Sequence, residues 1–339
     1  MGLHDHVVVV TGASSGIGRA TAEAFARKGC AVVLAARREE ALEAAAKECE
    51  KHRGARTLVV PTDTTDAAAV ENLARRAVAE FGRIDVWVNN AAVNAFGRFE
   101  DVPLEDFRKV LDVNVMGYVH GARAALRVMR EQGTGTLINI SSIVGAVSQP
   151  YSHPYSMSKH AVQGLGSSLR QQLRVEGMKG VHVCTVMPAT IDTPHFQQAA
   201  NYTGHKVVAM PPVYTPERVA RAVVDLVRHP RREVVVGPAG RALVRQSRIM
   251  PGLAERTMAR QTDKSHLDHD EAAPATHGAL HVPASGEGAV RGGWHGRRRT
   301  AMRRTAVAAA LAGAAVTAGR KMTRAAAAAE GERLRVLTR

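Results

Sequence analysis

The feature that most constrains this chain is a regular alternation, from residue 7 to residue 237, of short β-branched apolar runs with helical stretches. Strand-like runs at 7–10, 31–35, 57–61, 85–89, 136–141, 181–187 and 233–237 are separated by helical patterns. These patterns span 16–28, 39–52, 67–81, 103–131, 155–177 and 216–228, and the fourth is interrupted near Asn114 and Gly117. Parallel neighbours need a crossover connection, and a helix of about ten to fifteen residues supplies one. The strand runs are apolar throughout instead of alternating with polar residues, the pattern of strands covered on both faces. The predicted class is therefore α/β, a doubly wound parallel sheet with helices on both faces and a mostly helical or irregular C-terminal extension.

Composition sets the outer limits. Of 339 residues, 45% are hydrophobic, which suits a globular chain able to bury a core without covalent staples. Cys30, Cys49 and Cys184 form no CxxC pair. That excludes a disulfide scaffold or a Cys-based zinc module and fits a reducing, cytoplasmic setting. The N-terminus lacks a basic segment followed by an apolar stretch, so no secretory signal is expected. No run of about 18 apolar residues is present, so no conventional spanning helix is expected. The net charge of +15 is uneven: residues 241–339 carry 18 Lys/Arg against 8 Asp/Glu, and residues 1–240 carry 28 against 23. Basicity thus belongs to the C-terminal part, and no nucleic-acid partner is expected. The expected organisation is an α/β domain over 1–240, a helical extension over 241–261, a polar linker over 262–296 and a basic, Ala-rich helical tail over 297–339.

Three constellations carry chemistry. In VVVVTGASSGIGRA, Gly12, Gly16 and Gly18 lie between an apolar strand and a helix start. Glycines there allow a tight turn and close approach of backbone to a pyrophosphate, which the helix N-terminus then attracts. At the end of the second strand run, Ala36 stands where an acidic residue would bind a ribose 2′-hydroxyl, and Arg37 and Arg38 follow. A planar guanidinium suits the 2′-phosphate of NADP(H), so NADP(H) is favoured over NAD(H). A pair of solvated surface arginines is the plainer alternative. The third set is Asn114, Ser142, Tyr155 and Lys159. Tyr155 and Lys159 are four apart and share one helix face. An ammonium near a phenol stabilises phenolate and lowers its pKa from about 10, so the phenol can exchange a proton with a carbonyl or alcohol oxygen. Ser142, thirteen residues before Tyr155, could hold that oxygen.

The segments TGASSGIG (11–18), NNAA (89–92), VNVMG (113–117), NISS (139–142), YSMSK (155–159) and MPATIDT (187–193) stand in the order and spacing of the short-chain dehydrogenases/reductases. The chain resembles that family over roughly residues 5–240. The resemblance implies a Rossmann-like sheet of about seven parallel strands, a homodimer or homotetramer, and a small-molecule carbonyl or alcohol substrate. It implies that Tyr155 is the general acid/base, that Ser142 orients the carbonyl, that Lys159 holds the nicotinamide ribose and lowers the Tyr155 pKa, and that Asn114 holds a water in a proton relay. It implies cofactor contacts from Gly12, Ser14, Ser15, Gly16, Ile17, Gly18, Arg37, Arg38, Asp63, Asn89, Asn90, Ala91, Tyr155, Lys159, Pro188, Thr190 and Ile191. Two departures are Ala92 and Ala189, each in place of a glycine, each adding one methyl group. The Tyr-x₃-Lys spacing differs from the Tyr-x₆-Lys of the enoyl reductase branch.

His153, His195 and His205 fall near the expected cleft but lack an HExxH-type context, so no metal is expected. The irregular stretch 190–212 is the expected substrate-determining region, with Tyr151, Tyr202 and Tyr214 as possible lining. The uncharged stretch 305–319 between arginine clusters allows at most a weak membrane-surface contact. Two other readings stay open: a non-catalytic cofactor-binding scaffold, and a peripheral membrane protein led by its tail.

Overall fold

The structure is a computed structural model and describes residues 2–294. The expected tail over 297–339 lies outside the described residues. In chain order the strands are β1 (Val7–Thr11), β2 (Ala31–Ala36), β3 (Arg56–Pro61), β4 (Val86–Asn89), β5 (Ala95–Phe96), β6 (Gly135–Ile140), β7 (Val181–Pro188), β8 (Ala200–Asn201), β9 (His205–Val207), β10 (Glu233–Val236) and β11 (Leu267–Ala272). The helices are α1 (Gly16–Ala26), α2 (Glu39–Glu50), α3 (Ala67–Phe81), α4 (Leu104–Leu111), α5 (Gly117–Gln132), α6 (His153–Val175), α7 (Pro216–Arg228), α8 (Pro238–Ile249) and α9 (Pro251–Ser265). A π-helical turn, Asp112–Met116, joins α4 to α5, which is the interruption expected near Asn114 and Gly117.

Seven strands form one parallel sheet in the order β10-β7-β6-β4-β1-β2-β3. The strand β1 shows why the runs are apolar throughout. Val8 and Val10 face a core shared with Phe25 of α1, Leu42 of α2 and Val219 and Val223 of α7. Val7 and Val9 face a second core with Leu73 of α3, Leu126 of α5 and Leu173 of α6. Both faces are buried, so neither parity of the strand tolerates polar residues. From β1 the chain builds outward to β3, then returns to place β4 on the other side of β1. This reversal opens a crevice beyond the carboxyl ends of β1 and β4, the usual ligand position in such sheets.

The C-terminal part departs from expectation. Residues 241–261 lie in α8 and α9, but 262–294 are not a free linker. Strand β11 pairs antiparallel with β9, Asn201 bridges to Thr276, and residues 1–294 form one compact unit. The reason is a few apolar anchors in a polar stretch. Leu267 is buried beside Phe96 and Val207, and Leu280 is fully buried among Ala95, Val102, Val110 and Ala200. The irregular stretch 190–212 is likewise organised by β8, paired with β5, and by β9. Among the described residues, no helix is long and apolar enough to cross a membrane.

Candidate active site

The turn between β1 and α1 is built around Gly12, whose φ of 66° is unfavourable for other residues. A Cβ there would lie 2.8 Å from the Ala91 Cα, and one on Gly18 would lie 2.1 Å from the Gly12 carbonyl oxygen. Only glycine lets the turn pack this closely on the loop after β4. The loop is tied down by Thr11, whose hydroxyl oxygen accepts from the Asn90 and Ala91 N–H groups at 3.0 and 3.2 Å. The Asn90 side chain donates back to the Thr11 carbonyl at 2.9 Å. Around this turn Ser14, Ser15, Gly16, Ile17, Arg37, Arg38, Asp63, Asn90 and Ala91 line one continuous cleft. Pro188, Thr190 and Ile191 close its far wall together with Ser142, Tyr155 and Lys159.

Not every expected residue faces the cleft. Asn89 is buried: its amide donates to the Tyr118 carbonyl and to Asn139 Oδ1, and its Oδ1 accepts from the Trp87 indole. It braces β4 against β6 and α5, so its expected cofactor contact is not what its side chain makes. Gly18 packs within the turn and does not line the cleft. Asn114, on the π-turn, is fully buried; its Oδ1 accepts from the Val93 N–H at 2.9 Å, and its amide donates to the Val93 carbonyl and to Ser158 Oγ at 2.9 and 3.0 Å. It fixes the loop after β4 to α6, one residue before Lys159.

Lys159 is 1% exposed. Its ammonium donates to the Ile140 carbonyl at 2.9 Å and to the Tyr118 hydroxyl at 3.2 Å, and lies 5.4 Å from the centre of the Tyr155 ring. It meets the face of that ring instead of its hydroxyl. Burial lowers the Lys159 pKa to about 7, because removal from water disfavours the charged form. Burial also raises Tyr155 to about 12, opposed by a hydrogen bond with Ser142. The expected lowering of the Tyr155 pKa by Lys159 is not seen in this arrangement: desolvation dominates, Ser142 is the group that opposes it, and Tyr155 keeps its proton at neutral pH. Ser142 caps the short 3₁₀ turn Ile143–Gly145, where its Oγ accepts from the Val144 N–H at 3.3 Å.

Two further neighbours stand beside the tetrad: Tyr118, which the sequence reading missed, and His195, which it placed near the cleft without a role. Tyr118, one turn beyond Asn114, touches Lys159 directly, and its position four residues on could have signalled that shared face. His195 packs on Tyr155 with ring centres 5.3 Å apart, burial lowers its pKa to about 4, and its Nε2 finds no partner among the described residues. A further omission is larger. Residues 279–294 run along the outer edge of the cleft. Arg37 donates to the carbonyls of Ala279, Leu280 and His281, and Arg38 to those of Ala284, Ser285 and Gly286. The Gly16 N–H donates to the Ala289 carbonyl at 2.9 Å. Asp192 accepts from the N–H groups of Gly292 and Trp294. On the 279–294 side these contacts use main-chain carbonyls and N–H groups, so no side-chain pattern announces them.

The sequence model of the short chain dehydrogenases matches residues 6–203. The chain belongs to that family. An uncharacterised oxidoreductase of Bacillus subtilis is 38% identical over 258 residues, 76% of this chain and 72% of that protein. A probable oxidoreductase of Mycobacterium tuberculosis is 36% identical over 262 residues, 73% of this chain but 43% of that longer protein. Among solved structures, a short-chain dehydrogenase/reductase of Burkholderia phymatum in complex with NAD is 29% identical with a TM-score of 0.68, covering 75% of this chain and 96% of that one. An alcohol dehydrogenase of the archaeon Thermococcus sibiricus complexed with 5-hydroxy-NADP is also 29% identical, with a TM-score of 0.59 and coverage of 68% and 95%. Within the short-chain dehydrogenases, one of this chain's two extra methyl groups is readily placed. That of Ala189 lies against Gly237 and Gly240, whose missing side chains leave it room.

Proposed function

We propose that this short-chain dehydrogenase is an NADP(H)-dependent oxidoreductase that interconverts a carbonyl and a primary or secondary alcohol. The observation that carries the reading is the convergence of Ser142, Tyr155 and Lys159 on the cleft that begins at the Gly12 turn. The residues fit a dinucleotide: the glycine turn leaves space that a Cβ would fill, and the N-terminal end of α1, beyond the Gly16 N–H that holds the Ala289 carbonyl, suits a pyrophosphate. Cofactors of both kinds, NAD and an NADP derivative, are named in the two solved relatives.

The nicotinamide would supply or accept the hydride. Tyr155, protonated at neutral pH, gives its proton to the carbonyl oxygen in the reductive direction and recovers it in the oxidative one. Ser142 fixes that oxygen against the Tyr155 hydroxyl. Lys159 holds the ribose side of the cleft, and Asn114 acts at one remove by fixing Ser158 and the loop at Val93. Arg37, with Arg38 beside it, favours the 2′-phosphate. The carbonyl contacts engage the Arg37 Nη atoms and one Arg38 nitrogen, leaving donors on both side chains. His195, Phe196 and Met210 line the substrate end, and a small-molecule substrate and a homo-oligomer are proposed.

The test is a titration of the purified chain with NADPH and NADH, followed by reduced-cofactor fluorescence. Tighter NADPH binding by about tenfold, or 1.4 kcal/mol, is expected. Preference for NADH would overturn the role of Arg37, and binding of neither by folded protein would overturn the enzyme reading.

A further inference from the structure

Away from the cleft, α4 carries a carboxylate with no solvent exposure. Asp106 is fully buried and faces two imidazoles from the C-terminal segment. His277 Nδ1 lies 3.0 Å from Asp106 Oδ2 and 3.2 Å from Oδ1, and His281 Nε2 lies 2.7 Å from Oδ1. The Tyr202 hydroxyl donates to Oδ2 and lies 3.0 Å from His277 Nδ1. The Tyr202 O–H, His277 Nδ1–H and His281 Nε2–H can all donate to the one carboxylate, so hydrogen bonding brings a carboxylate oxygen and two imidazole nitrogens together at one point.

A dication satisfies the same cluster differently. One donor atom from each of Asp106, His277 and His281 lies within 4.8 Å of the others. Tetrahedral zinc, with bonds of about 2.0–2.2 Å to nitrogen and oxygen, sets its ligands about 3.3–3.5 Å apart. From Asp106 Oδ1 the two nitrogens, now at 3.2 and 2.7 Å, need to move out by less than about 1 Å, and all three donor atoms already lie within 4.8 Å of one another. The spacing His-x₃-His brings both imidazoles from one short segment, and a carboxylate with two imidazoles is a recurrent donor set for zinc. The carboxylate is already an anion: burial opposes its ionisation, but the donors Tyr202, His281 and His277 hold its pKa below the usual value.

We propose that Asp106, His277 and His281 form a binding site for a divalent transition-metal ion of the zinc type. The imidazoles are 57% and 44% exposed, so water has access to the fourth position. Tyr202 keeps its hydrogen bond to the second carboxylate oxygen and orients the ligand. The site also has a structural consequence. His281 and its neighbours Ala279 and Leu280 are the residues whose carbonyls Arg37 holds. The ion fastens to α4 the same segment that Arg37 fastens to the cleft. This proposal stands independently of the choice of cofactor and substrate.

The experiment is a zinc titration of the full-length chain after chelator treatment, in competition with a chromophoric chelator. The wild-type chain is expected to take up one equivalent with a Kd of about a micromolar or tighter. His277→Ala and His281→Ala, both at exposed positions, are expected to fold and to weaken that binding at least about a hundredfold. Zinc is also expected to raise the thermal midpoint of the wild-type chain and not that of the two variants. Asp106→Asn is a third variant, read only if circular dichroism shows it folded. No stoichiometric uptake by the wild type, or uptake of equal affinity by both histidine variants, would overturn the proposal.

Discussion

At the scale of single residues, the proposed chemistry of the cleft rests on two groups whose pKa values burial pushes in opposite directions. Tyr155 is held protonated, with its pKa at about 12, and Lys159 is brought to about 7. Tyr155→Phe removes the proposed proton donor and keeps the ring that packs on Lys159, His195 and the cluster of Ile143, Val144 and Val244. It is expected to lower kcat by about 10²–10⁴-fold while leaving the Kd for reduced cofactor within about twofold, read by steady-state kinetics beside the fluorescence titration. Lys159 makes a prediction about pH. Its folded pKa lies below its unfolded value of 10.5, so between about pH 7 and 10 the unfolded chain binds more protons than the native one. Stability contributed at this site therefore rises with pH across that window, by at most about 1.4 kcal/mol per pH unit. Relative to Lys159→Met, the wild-type thermal midpoint is expected to gain steadily from pH 7 to pH 9. A pH-independent gap between the two would contradict a buried, partly neutral Lys159.

At the scale of elements, Arg37 closes β2 and serves two claims at once. It holds carbonyls of 279–281, and it is proposed to hold a 2′-phosphate. Arg37→Ala separates them. Loss of the carbonyl contacts acts on NADPH and NADH alike, whereas loss of a phosphate contact acts on NADPH alone. The expected result is a weakening of NADPH binding by about tenfold or more beyond any change for NADH, measured in parallel titrations. Much of the surrounding architecture was readable beforehand, for definite reasons. Strands such as Val7–Thr11 are apolar on both parities because both faces are covered, and the π-turn at Asn114 showed as a break in a helical pattern. The glycine turn was readable because Gly12 and Gly18 meet backbone at distances that admit no Cβ. What was not readable lies in long-range contacts without a period. Asn89 points into a buried network fixed by Trp87 and Asn139, which sequence spacing does not reveal. Residues 262–294 read as a linker because their anchors, Leu267 and Leu280, are isolated among polar residues, and because Arg37 and Arg38 meet them through main-chain carbonyls.

At the scale of the molecule, that segment decides where the folding unit ends. A reading from composition would place the end of the enzyme near residue 261, and a chain cut there would be expected to keep its activity. The structure places the boundary after Trp294. Cutting at 261 removes β11 from β9, takes Leu280 out of the pocket formed by Ala95, Val102, Val110 and Ala200, and takes Leu267 from Phe96 and Val207. Each buried leucine lost contributes about 2–5 kcal/mol, and a domain has only about 5–15 kcal/mol in all. The loss is concentrated on β5, β8 and β9, which border the substrate end of the cleft, so activity and stability should fall together. A chain of residues 1–294 is expected to unfold within about 2–4 °C of the full-length protein, corresponding to about 1 kcal/mol. A chain of residues 1–261 is expected to melt at least about 10 °C lower and to lose most of its turnover, by scanning calorimetry and a fixed-substrate assay. Equal midpoints for the two truncated chains would mean that the segment 262–294 lies on the enzyme without stabilising it.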